Sequence, residues 1–599
     1  MNRRDLLKAT FAASFLPLAW SPVGRLLAGT RSSLLRRVGP GDRAWPAPAT
    51  WEALKQRVGG RLLKLQSPFA PDAPAAARAE ALQQLKNPFY LGDQPALTQT
   101  SGWADAWTSR PSAYAVAAES AADVAVAVNF ARDHRLRLVV KGGGHSYQGT
   151  SDAPDSLLIW TRRMNHIQLH DAFVPKGCYV SPQPAVSIGA GAMWIDAYDA
   201  VTTKGGRYVQ GGGCTSVGVA GLVQSGGFGS FSKHYGTAAA GLIEAEVVTA
   251  DGKVCIANAC SHPELFWGLK GGGGGSLGVV TRLTLRTREL PETFGGAFGA
   301  IKASSDAAYR ALIARAIEFY RSDLFNPHWG EQLVFQSDNT MRIAMVFHGL
   351  TQVQAQEIWA PFLAWVGARK EYTVTSEMRV FALPARHFWD AEFFRQHAPQ
   401  LIAEDGRPGA PRNHMLWAGD QGQVGWFLHG YRSAWLPASL LQPRAQARLV
   451  DAMFAASRAW GFALHFNKGL AGAPPEAITA ARDTATHPGM VEAFALAICA
   501  SGGAPAFPGM PGPGPDLAAA RRDAAGVGRS MDALLKVAPQ AGSYVSESDY
   551  FKRDWQDAFW GTNYPRLAAV KRRYDPDGLF FVHHGVGSED WSEDGFARQ

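Results

Sequence analysis

Residues 141–151 read Lys141-Gly142-Gly143-Gly144-His145-Ser146-Tyr147-Gln148-Gly149-Thr150-Ser151. A second stretch reads Gly212-Gly213-Cys214-Thr215-Ser216-Val217-Gly218-Val219-Ala220-Gly221, followed by Ser225-Gly226-Gly227-Phe228-Gly229. Glycine clusters of this kind leave backbone N–H groups free and let a ligand approach the chain closely, which suits a pyrophosphate. A third cluster, 271–278, contains Gly273-x-Gly275-x-x-Gly278, formally a dinucleotide fingerprint. That fingerprint needs a strand before it and a helix after it. Here Val279-Val280-Thr281-Arg282-Leu283-Thr284-Leu285 alternates as a strand, so the doubly wound reading fails on context. Isolated glycines are ordinary turn residues. Three clusters in one region, two of them carrying a reactive side chain (His145, Cys214), point instead to a cofactor cradle.

Around the clusters the pattern is strand, helix, strand. Tyr114-Ala115-Val116-Ala117 is short and apolar, 121–134 has helical spacing, and Leu136-Arg137-Leu138-Val139-Val140 alternates before the first glycine run. Upstream, 31–50 is rich in Arg, Gly and Pro and reads as a linker, with one helix expected over 51–65 and an Ala-rich one after it. Downstream, 295–540 mixes amphipathic helices, such as 307–319, with strand-like runs such as 341–347 and 424–428. A Pro/Gly tract over 502–515 reads as a flexible insertion. The five cysteines (Cys178, Cys214, Cys255, Cys260, Cys499) are too few for a disulfide scaffold; Cys255 and Cys260 are close enough to pair, which the sequence does not decide.

The 599 residues carry 59 Lys+Arg and 51 Asp+Glu, a formal net charge of +8. Residues 1–37 hold seven of the positive groups (Arg3, Arg4, Lys8, Arg25, Arg31, Arg36, Arg37) against Asp5 alone, or +6. The remaining +2 leaves a nearly neutral body and removes the case for a nucleic-acid partner. No run reaches the roughly 18 apolar residues of a membrane span. Asn2-Arg3-Arg4-Asp5-Leu6-Leu7-Lys8, followed by an apolar run from Phe11 to Trp20, resembles a twin-arginine export signal and implies a periplasmic or extracellular destination.

The two long glycine motifs resemble the flavin motifs of berberine-bridge-enzyme-like, FAD-linked oxidoreductases with a PCMH-type FAD-binding domain. The match continues in order through Lys233-His234-Tyr235-Gly236-Thr237 and Phe266-Trp267-Gly268-Leu269-Lys270-Gly271. It resumes at Gly561-Thr562-Asn563-Tyr564-Pro565-Arg566-Leu567, Val570-Lys571 and Tyr574-Asp575-Pro576, which resemble the family's C-terminal module. The resemblance is strong over 113–287 and 541–590, weak in between and absent before about 100.

It implies an α+β fold. A two-subdomain PCMH-type FAD-binding domain would span 101–290, with an inserted antiparallel-sheet substrate domain flanked by helices over 291–540. The C-terminal module, 541–599, completes the flavin domain; a signal segment (1–30) and a linker with helical extension (31–100) precede it. The resemblance also implies FAD bound bicovalently, through His145 to the 8α carbon and Cys214 to C6. Gly142, Gly143, Gly144, Ser146 and Tyr147 would lie on the phosphate side, and Gly218, Gly221, Gly227 and Gly229 on the second. Val217, three residues after the cysteine, resembles the oxygen-reactive members, although it could equally be a packing residue. Leu222 replaces a histidine that some members hold near the flavin pyrimidine.

The expected chemistry is hydride transfer from a CH–OH group of an alcohol or sugar-like small molecule, with O2 reoxidising the flavin to give hydrogen peroxide. A dehydrogenase with another acceptor, an amine or alkaloid C–H substrate, and an inactive flavin binder stand as alternatives. Tyr544-Val545-Ser546-Glu547-Ser548-Asp549 aligns with a family segment reading Tyr-x-Asn-Tyr-x-Asp, which makes Tyr544 and Glu547 the catalytic candidates. Glu547 either replaces the family's second tyrosine as base or is a solvated strand residue. No metal-ligand spacing accompanies the histidines of the middle region or His583-His584, and the oligomeric state is left open.

Overall fold

The computed structural model describes residues 35–599; the twin-arginine segment around Arg3 and Arg4 lies outside them. Ser120 starts the first regular unit. Its hydroxyl accepts from Asp123 N while the Asp123 carboxylate accepts from Ser120 N, a reciprocal cap for helix Ala121–Asp133. Val124, Ala127, Val128 and Ala131 recur at helical spacing and bury one face. That face covers a sheet in which Tyr114–Ala117 and Arg137–Lys141 flank Ser156–Trp160 in parallel, with Leu62–Lys64 antiparallel at one edge. All five residues of Ser156–Trp160 are buried, as an interior parallel strand requires.

The second subdomain is an antiparallel sheet ordered Val254–Asn258, Leu242–Val248, Val279–Glu289, Gln183–Gly189, Ile167–Phe173, with Arg207–Val209 paired to the far end of Val279–Glu289. The strand that ruled out a dinucleotide fold is therefore the centre of this sheet. The substrate domain is a nine-stranded sheet running from Tyr372–Pro384 through Thr293–Ala303, Thr340–His348, Trp329–Phe335, Phe462–His465, Ala493–Gly503 and Phe427–Pro437 to the short strands Gly102–Trp103 and Trp107–Thr108. Helices Asp306–Phe319, Pro443–Ala459 and Leu517–Leu535 bury their apolar stripes against one side of it. The other side turns toward the glycine loops. The fold is thus α+β with two flavin subdomains and an inserted antiparallel-sheet domain.

Several local expectations change. The helix expected over 51–65 is Pro48–Arg57: Gly59 and Gly60 take φ of 61° and 84°, which stop it and release Leu62–Lys64 as a strand. The helical extension before 100 is built into the body, with Phe89 and Leu91 fully buried, and just after it Gly102–Trp103 extends the nine-stranded sheet in parallel with Phe427–Pro437. The tract over 502–515 is pinned at Phe507, which is buried and stacks on Phe69 with ring centroids 5.8 Å apart. Cys260 bonds Cys178 and not Cys255. Cys255 is fixed in the ladder opposite Val247, whereas Cys260 lies in the turn where Asn258 donates its amide to Lys176 O at 2.9 Å and so holds the Cys178 loop alongside.

Lys233 joins the second flavin subdomain to the substrate domain. Its fully buried ammonium donates to the carbonyls of Gly469, Ala471 (3.0 Å) and Phe494 (3.2 Å), and burial pulls its pKa down to about 7. Lys233→Met keeps the length and leaves three buried carbonyls without this donor, a loss of about 2–4 kcal/mol. Chemical denaturation followed by tryptophan fluorescence should show the domain contact failing at lower urea than in the wild type.

Candidate active site

The strand Arg137–Lys141 delivers the first glycine loop, and Lys141 fixes its origin. The buried Lys141 ammonium donates to Gln94 O at 2.6 Å and to Leu97 O, so the N-terminal extension forms the back of the loop. Gly144 turns at φ 76°, where a Cβ would meet the Lys141 chain at 2.8 Å, and its carbonyl accepts from Gln99 N at 3.0 Å. Ser146 Oγ accepts from Thr150 N, and Trp107 Nε1 donates to Tyr147 O. Among the described residues no backbone N–H of 142–147 donates to a protein acceptor. A row of orphan donors in a half-buried turn is an anion cradle.

The second loop is held just as firmly. Trp194 N and Ile195 N donate to Val217 O (3.0 Å) and Thr215 O (2.8 Å), and Thr215 Oγ1 donates to Met415 O at 2.6 Å. Met415 is placed by its neighbour His414, whose Nε2 lies 3.1 Å from Asp196 Oδ1 and whose ring stacks on Phe89. The two loops touch. A Cβ on Gly143 would sit 2.8 Å from Gly218 N, and one on Gly218 equally near Gly143 N, so this crossing admits only glycine.

His145 Nε2 lies 3.1 Å from Ser216 Oγ across the same crossing. Burial pulls the His145 imidazole down to about 4, so it is neutral at physiological pH with Nδ1 uncommitted. Cys214 is exposed on the cleft side. The charge of the Asp420 carboxyl, on the short turn Ala418–Gln423, is the main influence pushing its thiol above the ordinary range. Burial raises Asp420 itself to about 6.

Facing these loops is a polar patch of the substrate domain. Register pairs Glu331 with Met345, a helix-side core residue, yet Glu331 takes φ 64° and sends its carboxyl to Ser230 Oγ (2.6 Å) and Asn467 Nδ2 (3.3 Å). A non-glycine residue in the left-handed region mid-strand carries strain, and such strain gathers at functional sites. Burial raises the Glu331 carboxyl. Lys468 Nζ lies 2.5 Å from each carboxylate oxygen of Glu547. Tyr147 and Tyr431 pack with ring centroids 5.1 Å apart.

The sequence-predicted residues thus divide. His145, Cys214, Gly142, Gly143, Gly144, Ser146, Tyr147 and Gly218 meet at the loop crossing and its cleft. Val217 is half-buried and packs on the flavin-domain core. Gly221 lies exposed on Val219–Gln224, with open space where a Cβ would stand. Gly227 and Gly229 serve interior packing: a Cβ would strike Leu222 at 2.3 Å and Gly211 O at 2.4 Å respectively. Tyr544 is buried edge-on to Phe228, its hydroxyl 3.4 Å from Gly227 N, so it supports the glycine turn. Glu547 is ion-paired rather than solvated. Asp420, Glu331 and Lys468 were not singled out by sequence reasoning, because each joins the site only through tertiary folding.

A free N–H row beside a neutral imidazole and a thiol on touching loops fits a flavin dinucleotide. Comparison with known proteins agrees. The FAD binding domain model matches residues 112–258, and the Berberine and berberine like model matches 543–587. The chain is 28% identical to the VAO-type flavoprotein oxidase VAO615 of Thermothelomyces thermophilus, over 98% of each protein. The crystal structure of VAO-type flavoprotein MtVAO615 from Myceliophthora thermophila C1 superposes with a TM-score of 0.75 at 26% identity, covering 93% of this chain and 98% of that one. The glucooligosaccharide oxidase of Acremonium strictum, described as carrying 6-S-cysteinyl, 8α-N1-histidyl FAD, shares the fold at a TM-score of 0.59 and 19% identity, over 80% and 92% of the two chains. The folded glycine loops, the two matched domain models and these relatives together make the chain an FAD-dependent oxidoreductase, similar over nearly its whole length to VAO-type flavoproteins.

Proposed function

We propose that the protein is an exported oxidase that removes a hydride and the hydroxyl proton, two electrons and two protons in all, from the CH–OH group of an alcohol or sugar-like substrate, with FAD held through His145 and Cys214 and O2 as acceptor. The observation that carries this reading is the crossing at which Ser216 joins His145 to the Cys214 loop, with Asp420 against the thiol. Bound FAD supplies the electron acceptor that no side chain here can provide. Ser216 engages His145 Nε2 and leaves Nδ1 as the attaching nitrogen, in keeping with the histidyl linkage described for the glucooligosaccharide oxidase.

The remaining residues bind and deprotonate. Asp420 accepts the substrate hydroxyl proton on its carboxylate, since a base held at about 6 is ionised at neutral pH yet still basic. Lys468 grips both oxygens of Glu547, which makes Glu547 a charge partner and Lys468 a fixed donor. Tyr147 and Tyr431 offer a paired aromatic shelf for a ring-shaped substrate. Val217 leaves oxygen access to the flavin side, by analogy with oxygen-reactive members. The Cys178–Cys260 disulfide suits the oxidising compartment implied by Arg3-Arg4.

One feature favours an amine as a second substrate class: neither Glu331 nor Asp420 has a basic ion-pair partner among the described residues, and a cationic substrate would supply one. Anaerobic addition of a panel of sugars, alcohols and amines should bleach the flavin with one of these classes, and air should restore the colour with release of peroxide. Colour restored only by an artificial dye would make the protein a dehydrogenase. A flavin that no compound bleaches would make it a binder.

A further inference from the structure

One short helix, Ser232–Tyr235, separates two cavities. Ser230, just before it, reaches Glu331 in the cleft; His234 and Tyr235 line a second cavity of about 550 Å3. That cavity lies between the second flavin subdomain and the substrate domain, which contributes His348. Its floor is the ribbon in which Arg207–Val209 pairs with the end of Val279–Glu289, and it presents Arg207 and Arg288.

Among the described residues both guanidinium groups lack an anionic partner. Arg207 uses Nε on Thr287 Oγ1 at 2.9 Å, which leaves its two terminal nitrogens uncommitted. Arg288 is half-buried, yet among the described residues its guanidinium makes no hydrogen bond and no ion pair. Glu289 on the rim and Glu476 nearby do not pair with either arginine. Burial and then the neighbouring Arg286 pull the Arg288 pKa down, against the weaker opposing pull of Tyr235, Tyr208 and Glu476. His234 Nδ1 is buried without a partner, and its ring stands 4.3 Å from that of His348. Two guanidinium forks and a phenol around one cavity would all be satisfied by the same kind of guest, a molecule bearing negatively charged oxygens. The cavity is too roomy for a bare ion and stands at a domain boundary, where small-molecule sites concentrate.

We propose that this cavity binds a small polyanion, a phosphate- or polycarboxylate-bearing metabolite, at a site separate from the flavin cleft. Pyrophosphate and citrate serve as probes, titrated calorimetrically into flavin-loaded protein at constant ionic strength with chloride as the balancing anion. Saturable one-site binding of one probe is expected, and which probe binds fixes the ligand class. Arg288→Gln and Arg207→Gln should each weaken binding at least about tenfold, with the flavin spectrum and thermal midpoint in chloride unchanged. Arg282→Gln, on the same strand but paired with Glu246, should leave binding as it is. Should one of the two cavity variants fail to fold, the other carries the comparison. Binding of neither probe, equal binding to the folded variants, or binding only to flavin-free protein would overturn the assignment, the last because the flavin cradle would then be the site.

Discussion

Wild-type protein precipitated in acid or run in denaturing gels should keep its yellow fluorescence, and His145→Ala/Cys214→Ala should lose it completely. The single variants separate the two anchors. Cys214→Ala should retain colour through His145, because burial keeps the imidazole neutral and Ser216 leaves Nδ1 uncommitted. His145→Ala should retain less, since the Cys214 thiol is pushed upward by Asp420 and reaches the reactive thiolate only in small fraction at neutral pH. The two attachments should therefore respond differently to pH during incorporation. Attachment at His145 should be constant from pH 6 upward, while attachment at Cys214 should accelerate toward alkaline pH. Ser216→Ala, which frees the second imidazole nitrogen without touching either anchor, should slow the first process and spare the second. Colour released from the wild type would show the flavin to be held by contacts alone, and complete release from Cys214→Ala would remove His145 as an anchor.

The parts of this site that could be read in the sequence are those built from contiguous residues. The loop at 141–151 declares itself through its glycines, and the strand after Gly278 declared that no helix would follow. Val279–Glu289 then proved to be the central strand of the second subdomain. The opposite wall was not legible, because Glu331, Asp420 and Lys468 come from three segments that no local period connects. Glu331 shows the limit most clearly. Strand alternation assigns it to the core side with Trp329 and Leu333, and only its positive φ, which no neighbouring residue announces, delivers the carboxyl to Ser230. Glu547 was visible as a departure from a family pattern, but its ion pair depends on Lys468, 79 residues away. The cysteines teach the same lesson: proximity in sequence suggested Cys255 and Cys260, and the ladder register at Val247 forbids it.

Asp420→Asn should lower turnover by about 10²- to 10⁴-fold, the usual worth of a positioned general base, while leaving flavin content and thermal midpoint near wild type. The amide keeps the shape and loses the proton-accepting charge. The pH profile provides the stricter test. Burial raises Asp420 to about 6, so the base is protonated and idle below that value and ionised above it. Wild-type rate should climb as pH rises through about 6 and then level off, and Asp420→Asn should abolish this acid limb. Glu331 contributes to the elevation through its own charge, so Glu331→Gln should shift the limb to lower pH, since a carboxyl relieved of a like-charged neighbour ionises more readily. Glu547→Gln should behave differently. It unpairs Lys468 and so weakens substrate binding, raising KM more than it lowers kcat, and the limb should stay where it was. If instead Glu547→Gln removes the limb and Asp420→Asn keeps it, the proton is taken by the lysine-paired carboxylate, and Asp420 is left with the single role of controlling the Cys214 thiol.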